Sequence, residues 1–152
     1  MDKNNVYHLV RNAIEHMPAG RGMDYLVATW IMGQTDFTHL HPQYVEGVTE
    51  DGQDGWNGFI CPRCGASEGD TRQCMKYYST DLRAVWEVVE HLQQPGEDWE
   101  YYFSLERTTS SKINPNWIAR VGGTEDITGE TIPLAICRAA LLAVIDSVTF
   151  IE

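Results

Sequence analysis

Apolar positions in this chain follow two rhythms. Val6, Leu9, Val10, Ala13, Ile14 and Met17 recur three and four apart, the repeat of one helix face, before Pro18-Ala19-Gly20 breaks it. A second helix places Met23, Leu26, Val27, Trp30 and Ile31 on one side and stops at Gly33. A third opens at Ser79-Thr80-Asp81, with Ser79 as N-cap and Asp81 at the positive end of the helix dipole. Its buried face reads Leu82, Val85, Trp86, Val89 and Leu92, and Gln93-Gln94-Pro95-Gly96 closes it. The period then falls to two. Trp99, Tyr101, Phe103 and Leu105 alternate with Glu100, Tyr102, Ser104 and Glu106, and Trp117, Ala119 and Val121 alternate likewise. This pattern predicts an antiparallel hairpin over roughly residues 99–107 and 116–121, ended by Gly122-Gly123. Thr131-Ile132-Pro133 opens a fourth helix, and residues 134–145 are apolar on nearly every side, the mark of a buried helix. Trp86, Val89, Leu134 and Leu141 are expected deep in the core.

Between these elements, residues 34–78 lose helical periodicity. The stretch is rich in Gly, Asp and His, with short apolar pieces at Tyr44-Val45 and over 56–60. A structureless loop of that length does not suit a compact domain, so short strands and a metal staple are expected. The staple is written at Cys61-Pro62-Arg63-Cys64-Gly65, the form of a zinc knuckle: the turn aims two thiolates at one point and Gly lets the backbone close. Cys74 extends it to C-x2-C-x9-C. Zinc takes four N or S ligands in a tetrahedron, and the fourth is His41 or His39, with His41 preferred. No βαβ pattern surrounds the Cys pair, which argues against thioredoxin-like redox chemistry. Cys137 falls inside the apolar fourth helix and reads as a small core residue.

Eleven basic against 22 acidic residues give a formal charge of −11. Duplex DNA and anionic membranes are bound by clustered Lys and Arg, so neither is an expected partner. Basic partners, or mimicry of nucleic-acid charge, are compatible with it. No run approaches the roughly 20 apolar residues of a membrane span, and the polar start Met1-Asp2-Lys3-Asn4-Asn5 is not a signal peptide. A reducing cytoplasm is therefore expected, where a Cys-x-x-Cys favours metal. The 152 residues are expected to form a single domain, with 34–78 as a metal-stapled segment within it.

Three ordered stretches resemble the phage ABA-sandwich domain, a family of small phage and prophage proteins. They are residues 17–24 (MPAGRGMD) with Leu26-Val27-Ala28 and Met32-Gly33, Tyr78-Ser79-Thr80-Asp81 with residues 84–90 (AVWEVVE), and residues 133–143 (PLAICRAALLA). The similarity runs from about residue 17 to 144. It implies an α+β fold, a three-layer α/β/α sandwich around a small antiparallel sheet. It also implies phage origin and expression in a bacterial host; it implies no activity. The chain departs from the family pattern at Tyr25, at Thr29-Trp30, and in the longer loop that carries the cysteines.

Other candidates are weaker. The start of the third helix offers backbone amides to an anion near Tyr78, Ser79 and Thr80, with Lys76 and Arg72 upstream and Tyr77 and Tyr78 able to stack. Asp81 opposes that reading by placing negative charge there. His8 and His16 read as solvated. Residues 50–55 (EDGQDG) fail the calcium-loop pattern, because Gln53 and Gly55 stand where oxygen ligands belong and the bidentate Glu is missing. No phosphate-cradling loop, Gly-x-Ser-x-Gly elbow or His-Glu-x-x-His is present. Two kinds of function stay open. One is a binding protein without catalytic activity, holding a host protein or sequestering a small anionic signalling nucleotide. The other is a small enzyme on a nucleotide-like substrate, with zinc or Asp81 involved. An accessory virion or replication component is a third, and a homo-oligomer is compatible with each. A closed four-ligand zinc site favours binding; an open three-ligand site with water favours catalysis.

Overall fold

The computed structural model describes residues 2–39, 43–46, 57–64, 66, 72–93, 102–108, 116–122 and 125–149. The chain divides into two compact units, Met1–Gly33 with Tyr77–Glu152, and Gln34–Lys76. Its architecture is α+β, as the two rhythms require.

In the larger unit, helix α1 spans Lys3–His16, its first turn capped by the Asp2 carboxylate accepting from the Asn4 amide at 3.4 Å. Helix α2, Arg21–Leu26, widens into a π-helical turn over Val27–Ile31, where the Met32 amide reaches the Val27 carbonyl at 3.0 Å. Gly33 then adopts φ +67°, a conformation that Gly takes without penalty, and the helix ends as expected. Met23, Val27 and Ile31 are buried, but Trp30 is 58% exposed. The α1 face is a larger departure. Ile14 is buried, whereas Val6, Leu9 and Val10 of the same stripe are 43%, 60% and 41% exposed.

Helix α3 is Leu82–Leu92. Its N-cap is Asp81, accepting from the Arg83 amide at 2.9 Å, and not Ser79, whose side chain is engaged elsewhere. The face turned inwards is centred on Ala84, Val85, Val88, Val89 and Leu92. Trp86 lies on its flank, 49% exposed, edge-on to Phe103 with ring centroids 6.2 Å apart. The expected deep burial of Trp86 is therefore corrected: a wide Ala/Val face lets the backbone approach closely and rotates the indole to the margin.

The predicted hairpin is β3, Phe103–Arg107, against β4, Trp117–Val121, antiparallel with Leu105 opposite Ala119. The expected part at residues 99–101 lies outside the described residues. A third strand not foreseen, β5 at Ile127–Gly129, pairs antiparallel with β4. Helix α4, Ile132–Thr149, packs against β4, β5, α3, the π-helical turn and α1. From Leu134 to Leu142, all but Arg138 are at most 2% exposed, as the all-round apolar sequence predicts. Arg138 is satisfied by carbonyls: Nε and Nη2 donate to Met17 at 3.1 and 2.8 Å, and Nη1 to Thr128 at 2.9 Å. A Cβ on Gly129 would stand 2.5 Å from the Ala135 nitrogen, so the sheet reaches α4 only because β5 ends in Gly. Among the described residues, no helix is long and apolar enough to cross a membrane.

The smaller unit, Gln34–Lys76, holds β1, Gln43–Glu46, antiparallel to β2, Asn57–Ile60, with Gln43 opposite Ile60. These are the short strands expected of the aperiodic stretch. The acidic turn at residues 50–55 lies outside the described residues.

Candidate metal centre

Strand β2 delivers Cys61 directly from its end. The Cys61 amide donates to the Ala66 carbonyl at 2.9 Å, folding Pro62-Arg63-Cys64 into a tight turn that brings Cys64 back beside it. Cys74 arrives on a later segment, fixed by its amide on the Phe37 carbonyl at 2.8 Å and its carbonyl on Gln34 Nε2 at 2.5 Å. His39 comes from the N-terminal side. Asp36 makes a turn by accepting from the Thr38 amide at 2.9 Å and hydroxyl at 2.6 Å. Those bonds and the Arg63 guanidinium, 3.4 Å away, hold the Asp36 carboxyl below the usual range.

One donor atom each from His39, Cys61, Cys64 and Cys74 lies within 4.8 Å of every other. Cys61 Sγ is 3.7 Å from Cys74 Sγ, and Cys64 Sγ is 3.3 Å from His39 Nδ1. A tetrahedral zinc with arms of about 2.3 Å to sulfur has sulfur–sulfur edges of about 3.8 Å. A disulfide would need about 2.05 Å, so the sulfurs are spaced for an ion and not for a bond. His39 Nε2 lies 2.7 Å from the Arg72 carbonyl. With the proton there, Nδ1 keeps its lone pair for a metal, the usual outer support of a ligating histidine.

Burial and the neighbouring thiols of Cys64 and Cys61 push the Cys74 thiol up to about 12. The Cys74 thiol therefore stays protonated near pH 7 unless a cation stands beside it. A dication at the centre would supply that positive charge and favour the thiolate. Cys61 and Cys74 are buried, and His39 and Cys64 are half-buried, so the donor set is fixed from within and wet on one side.

The expected fourth ligand is only partly located. His39, the alternative in the His39-Leu40-His41 run, supplies the donor that meets the three cysteines; His41 lies outside the described residues. Cys137 is buried in α4, and burial together with the Asp24 carboxylate raises its thiol. That is an inert core cysteine, as the sequence suggested.

At the start of α3, Tyr78 and Ser79 are buried, Thr80 is exposed and Lys76, in the other unit, is half-buried. The amides of Ser79, Thr80 and Asp81 are engaged. Ser79 N–H and Oγ both donate to Asp24 Oδ1, at 2.8 and 2.7 Å, and Thr80 and Asp81 N–H donate to the Tyr77 carbonyl at 3.2 and 2.8 Å. Ser79 Oγ also accepts from the Gly20 amide at 2.9 Å. The Asp24 carboxylate, 1% exposed, fills the position an incoming anion would take. Arg21 reaches Asp24 Oδ2 at 3.3 Å and lies 4.2 Å over the Tyr77 ring. This network was not legible beforehand. It joins residues 17–24 to 77–81, and Arg138 joins the same segment to α4, so the three stretches behind the family resemblance are bonded to one another.

The sequence profile of the phage ABA sandwich domain matches residues 25–141. A solved structure described as a phage protein from Bacillus cereus ATCC 14579 is similar at 21% identity, over 81% of this chain and 89% of that one, with a TM-score of 0.40. No curated protein matches.

Proposed function

Because this chain belongs to the phage ABA sandwich domain family, we propose that it is a phage-encoded binding protein without catalytic activity, its 34–78 segment stapled by one structural zinc ion. The observation that carries this reading is the donor set: His39, Cys61, Cys64 and Cys74 offer four atoms within 4.8 Å of one another, the number that a closed tetrahedral site takes. A catalytic zinc keeps a corner for water, and its protein ligands number three. Three thiolates with one imidazole suit zinc among the divalent metals, since soft sulfur and tetrahedral geometry disfavour magnesium, calcium and manganese. Free thiols suit the reducing cytoplasm of the host.

The binding partner in this reading is a host protein. At the start of α3, the groups that would hold a small anion are hydrogen-bonded within the protein, and a charge of −11 suits a basic protein surface. The three-layer arrangement belongs to the same proposal, supported by the packing of α4 on β4 and β5. Native mass spectrometry of protein purified without added metal tests the reading. It should show one zinc per chain, lost in Cys61→Ser, and no retained nucleotide. A metal-free wild-type protein, or one carrying a nucleotide, overturns it.

A further inference from the structure

The α1 stripe is apolar in sequence yet exposed in the fold. Val6, Leu9 and Val10 project from it, and Trp30 projects from the neighbouring π-helical turn. Together they expose an apolar patch on the order of a few hundred Å², the range in which the largest patch of a protein is often functional. Beside them lies a groove of about 500 Å³ with Ile14, Leu141 and Ile145 among its lining and Val6, Val10 and Trp30 at its walls. Among the described residues, Lys3 is the one charged residue lining it, and no carboxylate does.

We propose that this face is the interface of a two-fold homodimer. Such an interface must carry projections and the recess that receives them on one surface, because each copy presents the same patch to the other. Leu9 and Trp30 are the projections and the groove is the recess. Charge narrows the choice further. Two chains of −11 repel wherever their acidic surfaces meet, and among the described residues the groove lining carries no acid, so this is a face on which like copies approach at low electrostatic cost. A basic partner would find no carboxylate there to pair with. With α1 at 14 residues, or about 21 Å, an axis near Leu9 and Val10 lets each helix cross the other's groove along most of its length. The patch then forms the apolar centre of an interface whose usual size is about 800 Å² per partner.

Sedimentation velocity on the full chain as purified tests this. The expected result is a monomer–dimer equilibrium that strengthens as salt rises, since screening weakens the repulsion between acidic copies. Leu9→Glu and Trp30→Glu should each weaken dimerisation at least tenfold with the far-UV circular dichroism unchanged, because both sites are more than half exposed. Leu82→Glu, at an equally exposed apolar site on α3, should leave it intact. A monomer at about 100 µM, far above the micromolar constants that interfaces of this size reach, overturns the proposal. So does a dimer unaffected by both Leu9→Glu and Trp30→Glu, or one abolished by Leu82→Glu.

Discussion

Asp24→Ala probes the hydrogen-bonded core of the family segments. Asp24 is 1% exposed and its Oδ1 takes two bonds from Ser79, at 2.8 and 2.7 Å. Ser79 is itself fully buried, so its amide and hydroxyl would be left without the carboxylate. Each charge-assisted bond is worth about 1.5–3 kcal/mol, and some of that is returned because a buried carboxylate no longer has to be desolvated. The Arg21 contact at 3.3 Å adds little, since Arg21 is a third exposed. The expected loss is about 3–5 kcal/mol. Asp24→Asn keeps one carbonyl acceptor and should lose about 1–2 kcal/mol, as should Ser79→Ala, which spares the amide bond. Urea titration followed by circular dichroism, with Asp24→Ala, Ser79→Ala and the double variant, measures both the losses and the coupling. A coupling of about 1 kcal/mol or more is expected. A loss below about 1 kcal/mol for Asp24→Ala, or strict additivity with Ser79→Ala, would refute the reasoning.

Three further outcomes follow from the core. Leu134→Ala, at 2% exposure on α4, should cost about 2–5 kcal/mol in the same titration. Gly129→Ala places a Cβ 2.5 Å from the Ala135 nitrogen, backbone that cannot step aside, and should cost about 1–3 kcal/mol, seen as a lower urea midpoint. Cys137, buried and with its thiol raised, should resist iodoacetamide in the native protein and react fully in urea, which peptide mass mapping would resolve.

Local pattern and tertiary choice divide what the sequence discloses. Alternation at Phe103, Leu105, Ala119 and Val121 was enough for the hairpin, and all-round apolarity for α4. Strand β5 escaped because three residues, Ile127-Thr128-Gly129, are too few to alternate visibly. Ser79 and Asp81 are equally good caps by type; Asp24, 55 positions upstream of Ser79, decides between them. Trp86 and Leu82 followed the helical repeat but lie at the edge of a face that Ala84 and Val88 share. At the metal centre, cysteine spacing named three donors. The histidine was ambiguous, because His39 and His41 differ only in what surrounds them, and the Arg72 carbonyl that orients His39 is 33 positions away. The α1 stripe shows the opposite limit: periodicity reports that a face is apolar, not that its own chain covers it.

Zinc K-edge X-ray absorption on protein expressed without added metal bears most directly on the closed-staple account. One zinc per chain is expected, with three sulfurs at about 2.3 Å, one nitrogen at about 2.0–2.1 Å and no oxygen in the first shell. The sulfur count should fall to two in Cys74→Ser. A chain without zinc, or a zinc holding water at a fourth position, would contradict it.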